Sequence, residues 1–405
     1  MNLRPTLTPR LSARLLFAQL VCASALLGGC GGGGGAAPAG TVGSSSPSSF
    51  ASGAISGFGS IIVNGVRFDD STASVTDDDG TASSKDSLKL GMTAEVHGGA
   101  ISDDGTGPRA TASQIVFGAA LVGPVASLDA TAETFVVLGQ TVQVLDTTVL
   151  DDRLVGGFAG ISVGMVVEVH AQLDPASGIY TATRVGPSGA VAGYKIRGIV
   201  ANLDTTAKTF TIGGTLISYA SVAAVPADLA NGLLLAVRLQ TTQVAGAWVA
   251  TRLSGAPLQM DDDNDARIDG SITAFTSTTQ FSVNGIPVDA SQAVFQGGTA
   301  GVVLGAQVEV RGVSSNGVIV ASRVSIETHD AVKQTGFELH GAVTALDTTA
   351  QTFVLRGVTV SYASPTIEFK EGTAAQLAVG VLLEVKGTLS ADGTQVQAAR
   401  IEFGG

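Results

Sequence analysis

The sequence is short of charge, aromatic rings, cysteine and long apolar runs, and each shortage closes off a class of protein. Charged residues make up 14% of the 405 residues and aromatics 5%, with Trp248 the single Trp. So few rings leave few stacking platforms of the kind that base- and sugar-binding barrels carry on a sheet face. Two cysteines, Cys22 and Cys30, exclude a disulfide framework. A membrane-spanning helix needs about 18–20 consecutive apolar residues, and only "LLFAQLVCASALLGG", from Leu15 to Gly29, approaches that length. Positive charge is scarce as well: Lys+Arg is 22 against 34 Asp+Glu, a net charge of −12. That balance repels nucleic acid, whose binding rests on neutralising phosphates. What the chain has is glycine, 53 residues, and a 45% hydrophobic content broken into short pieces. Apolar runs of that length between glycines read as many short strands.

The N-terminus reads as an address. Arg4, Arg10 and Arg14 precede the apolar run, as in a secretory signal. The run closes in "LLGGC", Leu26 to Cys30, which resembles the lipobox of bacterial lipoproteins. The resemblance implies that residues 1–29 are a signal peptide and that Cys30 is lipidated, holding the chain to a membrane. Cys22 would leave with the signal, so no intrachain disulfide could form. Loss of the three Arg would move the net charge from −12 to −15. Residues 30–52, rich in Gly and Ser, read as a disordered, flexible tether. Gly31 in place of Asp after the anchor resembles outer-membrane sorting in enteric bacteria, so the expected location is the cell envelope, at the outer membrane of a Gram-negative bacterium.

Beyond the tether one phrase recurs five times: "IIVNGVRFD", "FVVLGQTVQV", "FTIGGTLISY", "FSVNGIPVD" and "FVLRGVTVSY". Its central glycines are Gly65, Gly139, Gly214, Gly285 and Gly357, spaced by 74, 75, 71 and 72. A period this regular marks a repeat architecture. Downstream of each phrase runs a strand such as "GMVVEVH" or "GVLLEVK", and each repeat closes on Ala, two residues and an aliphatic, as in "ATRV" and "AARI". Alternation within "VLLEVK" places Val381, Leu383 and Val385 on one face, which is a half-buried strand. Asn64-Gly65 and Asn284-Gly285 suit two-residue type I′ turns. Leu138 and Arg356 dislike positive φ, so a type I turn with Gly in a bulge is expected there.

Each unit thus reads as strand, turn, strand, glycine turn, strand, a longer connection, strand, turn, strand. That is the chain order of an OB-like barrel; a small open sandwich is the alternative. Pro287 in a third strand cannot donate to a ladder and favours an edge or a gap there. The expected fold is all-β: five tandem small five-stranded OB-like β-barrels, at residues 53–117, 118–185, 192–253, 266–326 and 335–405. Each has its own hairpins and closing strand and is expected to fold largely alone. The "VNG" hairpins, the "VEV" strand and the closing "A-x-R-V" resemble a bacterial family, lipoproteins built from repeats of domain-of-unknown-function family 5666. The resemblance implies an envelope location and β structure, and brings no catalytic or binding residue with it.

The candidate chemistry is thin. "GISVG", Gly160 to Gly164, matches a nucleophile elbow, but Ser162 aligns with Lys89, Val303 and Ala378 of other repeats. His97 and His170 follow "EV" where other units place Arg238, Arg311 and Lys386, so the position wants an outward positive or polar group. His329 and His340 lie at a junction without ligand-like spacing. Glu168 and Arg184, Glu309 and Arg323, and Glu384 and Arg400 stand symmetrically about predicted turns and are expected to pair across strands. The one metal candidate is the acidic run in which Asp261, Asp263, Asp265 and Asp269 fall at the first, third, fifth and ninth places of a calcium loop. Ala266 stands where that loop needs Gly, and Ile272 where it needs Glu. "DDDG", Asp77 to Gly80, reads as a polar loop. No cofactor and no enzymatic activity are expected. The expected role is a lipid-anchored scaffold, spacer or protein-binding array, with an envelope protein or glycan as partner and no nucleic acid. The alternative is an envelope binding protein for an oligosaccharide or peptide on one barrel face.

Overall fold

The computed structural model describes residues 48–255, 262–263, 265–327 and 336–404. The signal peptide, Cys30, Asp261 and His329 lie outside the described residues. Among the described residues there is no α-helix, only three short 3₁₀ turns.

The second unit shows the circuit most plainly. Leu121–Asp129 pairs antiparallel with Thr134–Val137, which pairs with Gln140–Gln143. Gln140–Gln143 then runs parallel to Ile179–Pro187, the fifth strand. Ile179–Pro187 pairs with Val166–Asp174, and Val166–Asp174 returns to Leu121–Asp129. The ring is closed in the order one, two, three, five, four, so each strand has a partner on both sides. The first unit (residues 48–117) makes the same circuit. So do the third unit (194–255) and the fourth (265–326). The fifth unit (337–403) closes in the same way. The chain is therefore all-β and built of small closed barrels, not open sandwiches. The parallel seam is narrow. In the fourth unit it is only Val288↔Ile319 and Asp289↔Val320, so Pro287 sits beside the gap, where its missing donor costs nothing.

The repeated residues are the core residues. The closing alanines, Ala112, Ala182, Ala250, Ala321 and Ala398, are all buried, as is the aliphatic residue three places on in each unit. In the fifth unit Leu383 and Val385 are buried while Leu382, just before them, faces out. Two sequence expectations fail here for local reasons. Leu138 (φ 49) with Gly139 (φ 75), and Arg356 (φ 54) with Gly357 (φ 74), form two-residue turns with both φ values positive, like the Asn-Gly pairs. The flanking ladders run straight into the turn, Val137↔Gln140 and Leu355↔Val358, with no bulge. A left-handed residue costs about 1–2 kcal/mol, and tertiary contacts offset it. Leu138 is buried and its carbonyl accepts from Gln140 and Thr215. Arg356 lies over the Phe58 ring, 5.8 Å from its centroid.

The Glu–Arg pairs across strands four and five do not form either. Every unit shifts register between these strands, after His97, His170, Arg238, Arg311 and Lys386. Arg184 therefore stands opposite His170 and pairs with Asp151 at 2.6 Å, while Glu168 faces Gly186. Charges pair along the strand instead, as Glu309 with Arg311 at 2.6 Å.

Nor do the units stand apart. Ser48 to Ser52, whose residues were expected in the tether, begin the first strand, pairing with strand four of their own unit and in parallel with Asp265–Ser277 of the fourth. The far end of that strand runs parallel to Phe337–Asp347 of the fifth unit, and the first strands of the second and third units pair with each other. The first and fifth units share one apolar core and the second and third another, while Phe50 of the first enters the core of the fourth. Residues 45–405 form one compact unit.

The hairpin tips supply many of these contacts. Asn64 donates to the carbonyl of Arg267 in the fourth unit (3.0 Å), and Asn284 accepts at its carbonyl from Arg197 in the third (3.1 Å). Gln140 and Thr215 cross-bond the tips of the second and third units. The recurring phrase is thus both a barrel corner and a docking point.

Candidate functional site

Packing the units leaves a cavity of about 250 Å³ where the first four meet. Its wall includes Glu95 of the first unit, Gln172 and Tyr180 of the second, Arg197 of the third and Asp269 of the fourth. Glu95, Gln172, Arg197 and Asp269 sit on strand positions that face away from their own barrel cores, while Tyr180 reaches the wall from the core of the second unit, so the site exists only where units face one another. Ala236 also lines it, opposite Arg197 in register. The other units carry Glu at this place in strand four: Glu95, Glu168, Glu309 and Glu384. A Glu at 236 would fill the space, and its absence leaves Arg197 without an in-register acid.

Burial pushes the Glu95 carboxyl above the usual range; Arg197 pulls it back and Asp78 adds to the rise. Asp269 is pushed up to about 7 by burial and by Glu327 and Glu309, against a hydrogen bond from Gln172. Both carboxyls are half-buried by accessible area although they lie deep in the molecule, because their remaining surface faces the cavity. Tyr180 donates to the Arg197 carbonyl (2.7 Å), and its phenol is raised by burial.

A second space of about 210 Å³ lies alongside, and Asp78 is on the wall of both. The "DDDG" segment is not a free loop. Asp78 pairs with Lys195 of the third unit, Asp79 pairs with Arg238, and Arg252 lies 3.5 Å from Asp79. The loop plugs a basic face of the third unit, which no reading of one unit could reveal.

The histidines fall in three settings. His97 lies 5.1 Å from Phe50, ring to ring. His170 was expected to face outward, yet it is wholly buried against the first unit, because the junction covers that strand face. Its Nδ1 accepts from the Thr93 amide (3.1 Å), which places the ring proton on Nε2, facing Glu168 Oε1 at 3.0 Å. His340 Nε2 lies 3.1 Å from Glu338 and 3.3 Å from Glu384, a grouping that could hold a metal ion. Cations of the protein already serve it: Arg67 pairs with Glu338, and Lys386 lies 3.5 Å from Glu338 and 3.3 Å from Glu384. Burial would raise the Glu338 carboxyl, but His340, Arg67 and Lys386 outweigh it and hold it at about 2.

Among the described residues, the structure does not bring the calcium candidates Asp263, Asp265 and Asp269 together, and Asp261 lies outside them. Asp265 and Asp269 lie four residues apart on one continuous strand, a rise of about 13 Å. Asp265 is held by a two-point contact with Arg267, at 3.0 and 3.2 Å. Asp263 is buried, and its carbonyl accepts from Ser314. Of the three described, Asp269 alone lines the cavity. Glu95 and Arg197 escaped the sequence reading; the signal that could have found them is Ala236, which stands where the other units carry Glu.

Fold and site together define a class: small closed β-barrels repeated along one chain and packed around a shared cavity. Residues 122–186, 269–325 and 340–402 match the family described as domain of unknown function 5666, three separate stretches consistent with repeats of that domain. No curated protein matches the chain.

Proposed function

We propose that this is a lipid-anchored protein of the bacterial cell envelope, five tandem barrels folded as one body, which binds a small polar ligand and carries out no reaction on it. The anchor reading rests on "LLGGC" and the Gly/Ser-rich stretch after it. The binding reading is carried by one observation, the cavity between units with acid, amide and guanidinium groups converging on it. At about 250 Å³ it falls just below the ~300–1,000 Å³ of sites for drug-sized ligands, so the ligand is small. An oligosaccharide laid along one barrel face has no such enclosure to recommend it.

The test uses the chain from residue 31 onward, unlipidated, beside Ala236→Phe, which fills the cavity. A set of small cationic, neutral and anionic polar compounds is followed by thermal shift. Stabilisation of the parent that is absent from a folded Ala236→Phe supports the reading. No stabilisation, or the same stabilisation in both proteins, contradicts it.

A second reading, the protein-binding array, has its own support. Val163, Val303 and Val379 are exposed (65%, 50% and 64%), each within two residues of the glycine that opens strand four of its unit. A repeated apolar contact of this kind suits a protein partner.

A further inference from the structure

The charges around the cavity do not balance. Five charged side chains line it: Glu95, Asp269 and Asp78, Arg197 and Arg252. Asp78 is taken by Lys195, with Arg238 at 3.8 Å. Arg252 is taken by Asp79, donating to its carbonyl at 2.9 Å. That leaves two carboxyls, Glu95 and Asp269, against the single guanidinium of Arg197. Arg197 is itself engaged through Nη2 with the Asn284 carbonyl (3.1 Å). Among the described residues nothing hydrogen-bonds to the Glu95 carboxyl, and Asp269 receives only the Gln172 amide, with Glu309 and Glu327 as the charges acting on it.

A buried carboxylate without a counter-charge is strongly unfavourable. The site is short of one positive charge. We propose that the cavity takes a small organic monocation, an ammonium or guanidinium group on a hydroxylated body, whose charge is taken up by Glu95 and Asp269. The inference rests on the reading of this cavity as the binding site. An anion would meet a net negative wall, and a neutral polyol would leave the two acids uncompensated. The hydroxyls have partners in Ser52, Thr93 and Thr273 on the same wall. With Asp269 titrating at about 7 in the empty site, an entering cation displaces a proton. The groups facing Asp269 are Glu309, Glu327 and Gln172; those facing Glu95 are Arg197 and Asp78.

Glucamine, sorbitol and gluconate share a six-carbon polyol chain and differ in charge. Calorimetric titration of each into the chain from residue 31 onward, and into Glu95→Gln, Asp269→Asn and Ala236→Phe, tests the proposal. Circular dichroism confirms that each variant is folded. Glucamine should bind about tenfold or more tighter than sorbitol, and gluconate least of all. Glu95→Gln and Asp269→Asn should lose that preference, glucamine then binding no tighter than sorbitol, while Ala236→Phe binds none. Glucamine affinity should fall roughly tenfold from about pH 8 to about pH 6, with proton release seen as a buffer-dependent heat. Sorbitol binding as tightly as glucamine, in a manner abolished by Ala236→Phe, overturns the cation preference and leaves the cavity reading standing. So does a preference that survives both carboxyl variants. No binding of any of the three, or binding indifferent to Ala236→Phe, overturns the cavity reading itself.

Discussion

The carboxylate of Asp78 in the first unit is paired with the ammonium of Lys195 in the third, 117 positions along the chain. Lys195 is 2% exposed, and burial holds its pKa below the usual lysine range against the pull of Asp78. Removing one partner of such a pair strands the other charge, at a cost of about 3–5 kcal/mol. Asp78→Asn should therefore destabilise strongly in urea denaturation, whereas Asp78→Leu with Lys195→Met should regain most of the loss. A cost under about 1 kcal/mol for Asp78→Asn is what a solvent-screened pair would give, and it would contradict the junction.

Asp269 gives the chain a pH signature. Its folded pKa, about 7, lies well above the ordinary aspartate value of 3.8, so folding favours the protonated form. The sign follows: the contribution to stability is fully present below about pH 4 and is lost as pH rises through about 7. Asp269→Asn should match wild type near pH 4 and exceed it at about pH 8 by a few kcal/mol. Melting temperatures of the two proteins across that range check it. A constant difference would show that Asp269 is solvated.

Gly357 carries the turn of the last hairpin at φ 74, following Arg356 at φ 54. The space beside it is almost open, with only the Lys89 ammonium near an added Cβ (3.3 Å), so backbone strain is the main penalty of a side chain here. Gly357→Val should cost about 1–3 kcal/mol in equilibrium denaturation. An unchanged midpoint would mean that the turn adopts another conformation.

Anchoring is expected to depend on Cys30. Cys30→Ala should abolish labelling by a fatty-acid probe and move the protein from the membrane to the soluble fraction of lysed cells. Retention of label and of membrane partition would remove the lipoprotein reading.

How much could be read in advance follows from which contacts are local. Alternation in "VLLEVK" and the glycines at fixed intervals identified strands and hairpins because those depend on neighbours a few residues away. The buried closing alanines repeat for the same reason. The type I′ turns at Leu138 and Arg356 were missed because the strain is offset by Thr215 in one case and Phe58 in the other, both from different units. The outward face assigned to His170 is correct for its own barrel and wrong for the assembled chain, where the Thr93 amide meets it. The site itself was not read: its one trace in the sequence is Ala236, alone among glutamates at its place in the repeats, since Glu95, Arg197 and Asp269 come together through packing between repeats that the sequence of one repeat does not encode.

Everything proposed for the cavity requires the first four units to be held around it, and small-angle X-ray scattering of residues 45–405 tests that directly. Packed as one compact unit, a chain of this length should give a radius of gyration of about 21 Å and a bell-shaped distance distribution. A much larger radius, with the long tail of barrels strung on linkers, would contradict the shared cavity and the ligand reading with it.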